Sequence, residues 1–367
     1  MPAKKTSRPR QVHLYVGTRK GGFVFSSDLR RKSWKINGPF FAGAEVNDLH
    51  RDPRTGHLWC AVTSAWWGTD VQTSRNGGKT WEKSSNGLSF PKERGLNLSR
   101  IWRVVPDRAS RPDVLWCGAD PGCLFRSDNG GKDWYEVAGL TQHASREKWR
   151  PGGGGLMVHC ILPDPNQPSR VYVGISVAGC FRSDDDGKTW QPMNKGVLAD
   201  FQPQKYPEVG QCVHSMHLSA SEPDWLFQQN HCGVYRSRDA AAQWDDISKG
   251  LPSRFGFAST MHPHEAQTMY VVPEISPERR YVSDAALGIY RTPDGGKSWR
   301  KLSKGLPQKN VYTQVLRHAA ASDQAEDAGI YVGTTGGSIF YSRNNGDSWQ
   351  VLADNLAPIM ALHAALI

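Results

Sequence analysis

The octapeptide SDNGGKDW, residues 127–134, decides the fold, because close variants of it recur along the whole chain. Each variant has Ser or Thr first, Asp or Asn third, Gly fifth and Trp eighth. Further copies lie at residues 74–81, 183–190, 292–299 and 342–349. Two degenerate copies bring the total to seven: residues 237–244 have alanine in place of glycine, and residues 26–34 contain one extra residue. This pattern indicates a repeat protein.

The tryptophans that end the seven copies set the length of the repeat. Successive ones are 47, 53, 56, 54, 55 and 50 residues apart, at Trp34, Trp81, Trp134, Trp190, Trp244, Trp299 and Trp349. An Asp or Asn side chain closes a tight turn on its own backbone, glycine supplies a positive φ, and the Ser or Thr hydroxyl adds a second local bond. The Trp then begins the next strand and packs against the neighbouring repeat. We therefore predict a structural turn rather than a catalytic motif.

The octapeptide resembles the Asp-box, or BNR, repeat of sialidases, xyloglucanases, sortilin-type receptors and the photosystem II assembly factor family. In those proteins the box joins the third and fourth strands of a β-propeller blade. The resemblance extends over nearly the whole chain. It implies the fold but leaves the function open, because propellers host many unrelated activities.

Each repeat divides into four short strand-like runs, as a four-stranded blade requires. The last innermost strand, residues 358–362, lies at the C-terminus, whereas its partner strands lie between residues 13 and 37. Pairing of the chain ends would close the ring and remove exposed sheet edges. We therefore predict an all-β fold: a seven-bladed β-propeller of four-stranded antiparallel blades, closed by N- and C-terminal strands and formed by residues 11–367. Residues 1–10 are predicted to be a disordered basic tail.

The innermost strands align without gaps. They read VNDLH, IWRVV, VHCIL, VHSMH, ASTMH, YTQVL and PIMAL, starting at residues 46, 101, 158, 213, 258, 312 and 358. The fourth position is apolar in every segment, as expected where blades pack face to face. The second and third positions bring polar groups to the axis in six of the seven segments, so both are predicted to face the central channel.

Charge and composition limit the partners and the compartment. The net charge is +10, but Lys4, Lys5, Arg8 and Arg10 lie in the first ten residues, so the rest of the chain carries +6, which makes nucleic acid an unlikely partner. No stretch approaches the ~20 apolar residues of a membrane helix, and no apolar segment of a secretory signal follows the basic start. Seven cysteines without CxxC spacing fit a reducing compartment. The expected location is cytoplasmic, with no membrane association.

Long connections are predicted to gather on one face of the ring. They span residues 64–70, 86–98, 140–156, 197–211 and 273–287, in two connection classes that open on the same side in propellers of this family. Such a concentration indicates a binding surface. Basic and aromatic side chains there are predicted to hold an anionic or sugar-like ligand, by arginine forks and stacking on tryptophan. The residues assigned to this role are Arg19, Lys20, Trp66, Trp67 and Arg280.

The predicted channel is rich in residues that bind ligands or metals. Its second and third strand positions include Asn47, Asp48, Trp102, Arg103, His159, His214 and Gln314, with His231, Glu274 and Tyr312 entering from neighbouring positions. Two interpretations stay open: a water-filled polar channel, or a site that binds a divalent metal or performs acid–base chemistry. The second interpretation makes His159 and His214 metal ligands. Its catalytic candidates are Asp48, His159, His214, Glu274 and Tyr312.

The resemblance suggests three activities, and each meets an objection. A sialidase would use residues such as Arg19, Asp48, Glu274, Arg280 and Tyr312, but its Phe-Arg-Ile-Pro motif is absent from the sequence and sialidases have six blades. The xyloglucanase type sets the carboxylates of two propellers across a cleft, and this chain supplies one propeller. The photosystem assembly proteins match in blade count but are exported.

Two functions therefore stay open from the sequence. In the first, the protein has a small-ligand site on the long-loop face and in the channel, and it is a hydrolase or lyase acting on an anionic or glycosidic substrate. In the second, it is a non-catalytic binding scaffold for an acidic protein, a peptide or an anionic sugar.

Overall fold

A computed structural model of the chain describes residues 11–367, in which β-strands dominate. The predicted tail, residues 1–10, lies outside the described residues. The strands, in chain order, are β1 (Gln11–Thr18), β2 (Gly21–Asp28), β3 (Lys35–Phe40), β4 (Glu45–Arg51), β5 (Leu58–Ser64), β6 (Gly68–Ser74), β7 (Glu82–Lys83), β8 (Arg100–Pro106), β9 (Leu115–Asp120), β10 (Cys123–Ser127), β11 (Tyr135–Glu136), β12 (Val158–Pro163), β13 (Val171–Ile175), β14 (Gly179–Ser183), β15 (Gln191–Pro192), β16 (Val213–Leu218), β17 (Leu226–Asn230), β18 (Gly233–Ser237), β19 (Asp245–Asp246), β20 (Gly256–Met261), β21 (Met269–Pro273), β22 (Ile289–Thr292), β23 (Arg300–Leu302), β24 (Ala320–Ser322), β25 (Ile330–Gly333), β26 (Ile339–Ser342), β27 (Gln350–Ala353) and β28 (Ile359–Leu366).

Helical structure is confined to short turns. They are α1 (Ala138–Thr141) and 3-10 turns at Lys92–Arg94, Arg146–Lys148 and Ser283–Ala285. Within residues 11–367, no helix combines the length and the hydrophobicity needed to cross a lipid bilayer.

The strands form seven four-stranded sheets, each of which is one blade. Blade 1 has the order β28-β1-β2-β3, and blades 2 to 7 are β4–β7, β8–β11, β12–β15, β16–β19, β20–β23 and β24–β27. The C-terminal strand β28 pairs antiparallel with β1, from Val12 opposite Leu366 to Thr18 opposite Ile359. The predicted seven-bladed ring, closed by its two chain ends, is therefore confirmed.

The repeated octapeptide forms the turn between the third and fourth strands, as predicted. In the copy at residues 74–81, Gly78 N donates a hydrogen bond to Ser74 Oγ (2.8 Å), and Gly78 has a φ of +89°, which glycine adopts without steric cost. In the copy at residues 127–134, the tryptophan reaches the preceding blade. Buried Trp134 donates from Nε1 to Ser84 O at 2.9 Å. These bonds tie the blade's outer edge to its neighbour and explain the repeat without any catalytic role.

The degenerate copy at residues 237–244 provides a test of this turn. Ala241 occupies the glycine position with a φ of +68°, a conformation that costs an L-residue about 1–2 kcal/mol. We expect Ala241→Gly to raise the free energy of unfolding by about 0.5 kcal/mol, since the relieved strain exceeds the added entropy of the unfolded chain. The exposed neighbour Ala242 lacks a positive φ, so Ala242→Gly should lower stability instead. Urea denaturation of both variants measures this, and a shift of the same sign in both would contradict it.

One predicted innermost strand is wrong. Residues 312–316, YTQVL, form no strand, and β24 is the innermost strand of blade 7. Their backbone is instead bound by groups from loops and side chains: Gln314 N donates to Thr335 Oγ1 (2.9 Å), and Val315 N donates to Glu274 Oε1 (3.3 Å). The segment therefore belongs to the connection that precedes β24, and Thr313 and Gln314 do not occupy the channel positions predicted for them.

The second position of the innermost strands coincides with a break in strand register. In blades 2 to 5 the pairing shifts at Asn47, Trp102, His159 and His214. A β-bulge changes the direction in which its extra residue points. His159 and His214 accordingly reach main-chain carbonyls of the next blade, at Val213 (3.0 Å) and Gly256 (2.6 Å). The second and third positions therefore do not project together into one open channel.

Strand alternation places the long connections on one face. Within each blade, the link from the outermost strand to the next innermost strand and the link between the second and third strands leave from the same side. Contacts between the two classes agree: Arg146 Nη1 donates to Gly122 O (2.7 Å), and the rings of Phe201 and His231 lie 4.9 Å apart. Residues 303–319 form a further long connection of this kind. We call this side the long-loop face.

Candidate functional site

A cavity of about 360 Å³ opens on the long-loop face where four long connections meet, at residues 140–156, 197–211, 273–287 and 303–319. A volume of this size suits a small molecule. Glycine and aromatic residues form much of its wall, and none of its lining residues is Asp or Glu. The lining comprises Arg150, Pro151, Gly152, Gly153, Gly154, Gly155, Ser176, Val177, Phe201, Gln202, Cys212, His214, His231, Phe257, Arg280 and Arg317.

Two arginines of this cavity share one aromatic wall. The guanidinium carbon of Arg317 lies 4.9 Å from the centroid of the Phe257 ring, and that of Arg280 lies 5.7 Å from it. Arg317 is half-buried and donates to Ser176 Oγ at 3.4 Å, whereas Arg280 is exposed at the rim and donates to Pro277 O at 2.8 Å. Within residues 11–367, neither guanidinium forms an ion pair with a carboxylate. Two positive charges thus face the cavity without a protein counter-ion.

Two imidazoles and a thiol form the other wall. Cys212, His214 and His231 each offer a ligand atom, and these atoms lie within 4.8 Å of one another. The His214 ring stacks on Phe257 at 4.4 Å, and its Nδ1 donates to Gly256 O, which leaves Nε2 as the nitrogen with a lone pair. Burial holds the pKa of His214 well below its usual range and also lowers the pKa of His231. Both rings are therefore neutral at pH 7.

Glu274 is fully buried beside the cavity at the end of β21. Burial raises the pKa of its carboxyl to about 7, although hydrogen bonds from Gln314 Nε2 (3.3 Å) and Val315 N and the charges of Arg280 and Arg317 oppose this shift. A carboxyl that formed a full ion pair with either arginine would have its pKa lowered instead. In the described chain, Glu274 forms no ion pair with Arg280 or Arg317.

A second cavity of about 230 Å³ lies along the channel axis and shares Arg317 with the first. Arg103, His159, His217, His318 and His363 contribute to its lining. The His159 ring pairs with His318, with centroids 5.4 Å apart, rather than with His214. The structure thus places the two predicted metal ligands on different cavities.

Asp48 lies beside this second cavity, and both of its oxygens are engaged. Oδ1 is 2.8 Å from His363 Nε2 and 3.7 Å from Arg103 Nη1, and Oδ2 accepts a hydrogen bond from Val104 N at 2.9 Å. Burial alone would raise the pKa of Asp48, but the charges of Arg103, His50 and His363 outweigh it and hold the pKa well below its usual range. Both oxygens of Asp48 are therefore occupied by protein groups, and no free carboxylate is presented to a ligand.

The remaining predicted ligand-binding residues lie apart from the first cavity. Trp66 and Trp67 are 86% and 85% exposed at the tip of the β5–β6 hairpin. Buried Asn47 donates to Thr63 Oγ1, and Trp102 is also buried. Arg19, Lys20 and Tyr312 are at the surface. Arg19 Nε lies 3.7 Å from Glu45 Oε2, and Tyr312 is 71% exposed and contacts the ring of Tyr281.

Of the predicted residues, the structure therefore brings His214, His231 and Arg280 together at the first cavity, with Glu274 beside it. Sequence reasoning missed Cys212, Phe257 and Arg317. Arg317 follows directly after the misassigned strand at residues 312–316, so the error in register hid it. A cysteine two residues before a histidine in the sequence was the available indication for Cys212.

The seven four-stranded blades and their repeated turns define the class of protein, which is an Asp-box propeller. The BNR/Asp-box repeat family matches at residues 181–192. The oligoxyloglucan-reducing end-specific xyloglucanase of Emericella nidulans is 25% identical over 237 residues, which are 58% of this chain and 28% of that protein. A xyloglucanase of a Paenibacillus species is 23% identical over 287 residues, 68% of this chain and 25% of that protein.

Solved structures share the fold. The GH74 xyloglucanase of Xanthomonas campestris superposes with a TM-score of 0.62 at 19% identity, covering 97% of this chain and 52% of that one. YCF48 bound to D1 peptide superposes with a TM-score of 0.54 at 14% identity, covering 84% of this chain and 82% of that one. The chain is a BNR-repeat propeller that resembles the propellers of glycoside hydrolases. It spans between 25% and 31% of the length of the curated xyloglucanases it matches.

Proposed function

We propose that the protein binds a small anionic ligand of the sugar-acid class in the first cavity, with the ligand's carboxylate between Arg280 and Arg317. The observation that carries this proposal is the pair of guanidinium groups that share Phe257 and have no carboxylate partner in the described chain. Arginine forks bind carboxylate and phosphate through charge-assisted hydrogen bonds. The Phe257 and Phe201 rings offer apolar faces to the rest of the ligand. Similarity to xyloglucanases supports a sugar-like ligand.

The residues around the cavity favour elimination over hydrolysis by paired carboxylates. Glycosidases use two carboxyl groups about 5–9.5 Å apart, and no Asp or Glu lines this cavity. A base that removes the proton α to a carboxylate would suit the groups present. Neutral His214 Nε2 takes that proton, the C–H electron pair forms the double bond, and the β-oxygen leaves with its bonding pair. Arg280 and Arg317 stabilise the negative charge that grows on the carboxylate.

Calorimetric titration tests the ligand class directly. D-Glucuronate is expected to bind, whereas D-glucose, which lacks the carboxylate, is not. Arg317→Met should weaken glucuronate binding by about 10- to 100-fold, because a charged hydrogen bond contributes roughly 1.5–3 kcal/mol. The matched control Arg300→Met removes an exposed arginine that lies 3.4 Å from Asp347 and should bind like the native protein. Equal binding of the two sugars, or unchanged binding by Arg317→Met, would refute the proposal.

A further inference from the structure

We propose that Cys212, His214 and His231 form a binding site for a transition-metal ion, of the Zn²⁺ or Co²⁺ type, in the wall of the first cavity. Their ligand atoms already lie within 4.8 Å of one another. Metal–ligand bonds of about 2.0–2.3 Å in tetrahedral geometry require separations of roughly 3.3–3.8 Å between ligand atoms. Closing that difference takes an adjustment of about an ångström in side-chain position.

All three residues belong to one hairpin of blade 5. Cys212 directly precedes β16, and His214 lies two residues further along, at the β-bulge of that strand. His231 directly follows β17, the partner of β16, and its backbone N donates to Cys212 O at 3.0 Å. The backbone of a single antiparallel pair therefore fixes the spacing of the three ligands.

Neighbouring groups hold both imidazoles in place. The His214 Nδ1–H donates to Gly256 O, the arrangement by which a main-chain carbonyl orients a metal-bound histidine. His231 contacts the rings of Phe201 at 4.9 Å and Phe255 at 5.2 Å. Two imidazoles and a thiolate suit Zn²⁺ or Co²⁺ rather than Mg²⁺ or Ca²⁺.

Charge indicates what completes the coordination. A divalent ion with one thiolate leaves a net positive site, and Arg317 and Arg280 face the same cavity. An anionic oxygen is therefore the expected fourth ligand. The three-residue metal site stands on its own contacts, and only this exchangeable ligand rests on the proposed function. A metal on His214 Nε2 would occupy the lone pair that the proposed elimination uses, so the metal-bound protein is expected to bind the anion without eliminating it.

The other candidate cluster in the described chain does not qualify. Asp48, His50 and His363 also lie within 4.8 Å of one another. However, Asp48 already accepts a hydrogen bond from Val104 N and lies 2.8 Å from His363 Nε2, so both of its carboxylate oxygens are engaged. Of the two clusters, only that of Cys212 has all three of its residues in the lining of one cavity.

Cobalt titration of the chelator-treated full chain tests the site. Added Co²⁺ alone is expected to bind at one equivalent, with visible d–d bands and a near-ultraviolet thiolate-to-cobalt band. Cys212→Ser should abolish the thiolate band, and His231→Gln should weaken binding at least tenfold, while Cys160→Ser, which alters a buried cysteine outside the cluster, should change neither. Thermal melts test whether each variant is folded. If Cys212→Ser does not fold, the cobalt affinity of His231→Gln decides the outcome.

Two results would overturn the metal site: cobalt binding far below one equivalent, or a thiolate band that persists in Cys212→Ser. Glucuronate titration of the metal-free protein separates this proposal from the proposed function. Glucuronate binding without cobalt binding removes the metal site alone. Cobalt binding without glucuronate binding removes the proposed function alone.

Discussion

Arg31→Met is expected to lower the free energy of unfolding by about 3–5 kcal/mol, the usual cost of leaving one charge of a buried pair alone. Arg31 lies in the blade 1 turn and donates from Nε and Nη2 to the two carboxylate oxygens of Asp323 in blade 7, at 2.9 and 2.8 Å. Its Nη2 also donates to Asp327 O at 2.7 Å. Both side chains of the pair are almost fully buried. Methionine keeps the aliphatic volume but leaves Asp323 with the Tyr331 hydroxyl and one backbone amide.

Guanidinium chloride denaturation at pH 7 measures this loss. The control is Arg30→Met, which removes an adjacent arginine that is 78% exposed and pairs only with Asp28 in its own turn. That variant should stay within about 0.5 kcal/mol of the native protein. A loss below 1 kcal/mol for Arg31→Met would contradict the view that this pair locks the closing blade to its neighbour.

Glu274→Gln is expected to stabilise the protein, and far more at pH 8 than at pH 5. Burial raises the pKa of Glu274 from 4.5 to about 7, so the folded state binds this proton more tightly than the unfolded state. Stability is therefore lost as the pH rises from about 4.5 to about 7, and the loss is complete above that range. Glutamine is neutral throughout, so its stabilising effect should be roughly 2–3 kcal/mol larger at pH 8 than at pH 5.

Urea denaturation at the two pH values measures this difference. The control Glu326→Gln removes an exposed carboxylate and should shift the unfolding free energy little at either pH. If Glu274→Gln has the same effect at pH 5 and pH 8, the carboxyl does not titrate between them. Burial would then not control the protonation of Glu274.

The sequence predicted the ring because each Asp-box turn is a local structure. The Ser74–Gly78 bond and the positive φ of Gly78 lie within five residues, so their cause can be identified without knowledge of the neighbours. Closure by β1 and β28 followed from counting strands, since one blade had its innermost strand at the opposite end of the chain.

The innermost strand of blade 7 was mispredicted because the deciding interactions are distant in sequence. Residues 312–316 have stronger strand propensity than the alanine-rich stretch at β24. Glu274 and Thr335, some 20 to 40 residues away, bind the backbone of 312–316 and hold it in a loop. Local pattern contains no information on such side-chain partners.

The candidate site was only partly predictable for the same reason. His214, His231 and Arg280 were chosen correctly for this face, but four long connections that meet in space form the cavity. His159 and His214 share a position in adjacent strands, which predicted a common site. Both sit at β-bulges and bind carbonyls of successive blades, so equal register did not bring them to one cavity.

The most direct test of the account is a crystal structure of the full chain with D-glucuronate. Density for the sugar is expected in the first cavity, with its carboxylate oxygens about 2.7–3.2 Å from the guanidinium nitrogens of both Arg280 and Arg317. Glucuronate bound at another surface, or ordered water alone between the two arginines at a saturating concentration, would contradict it.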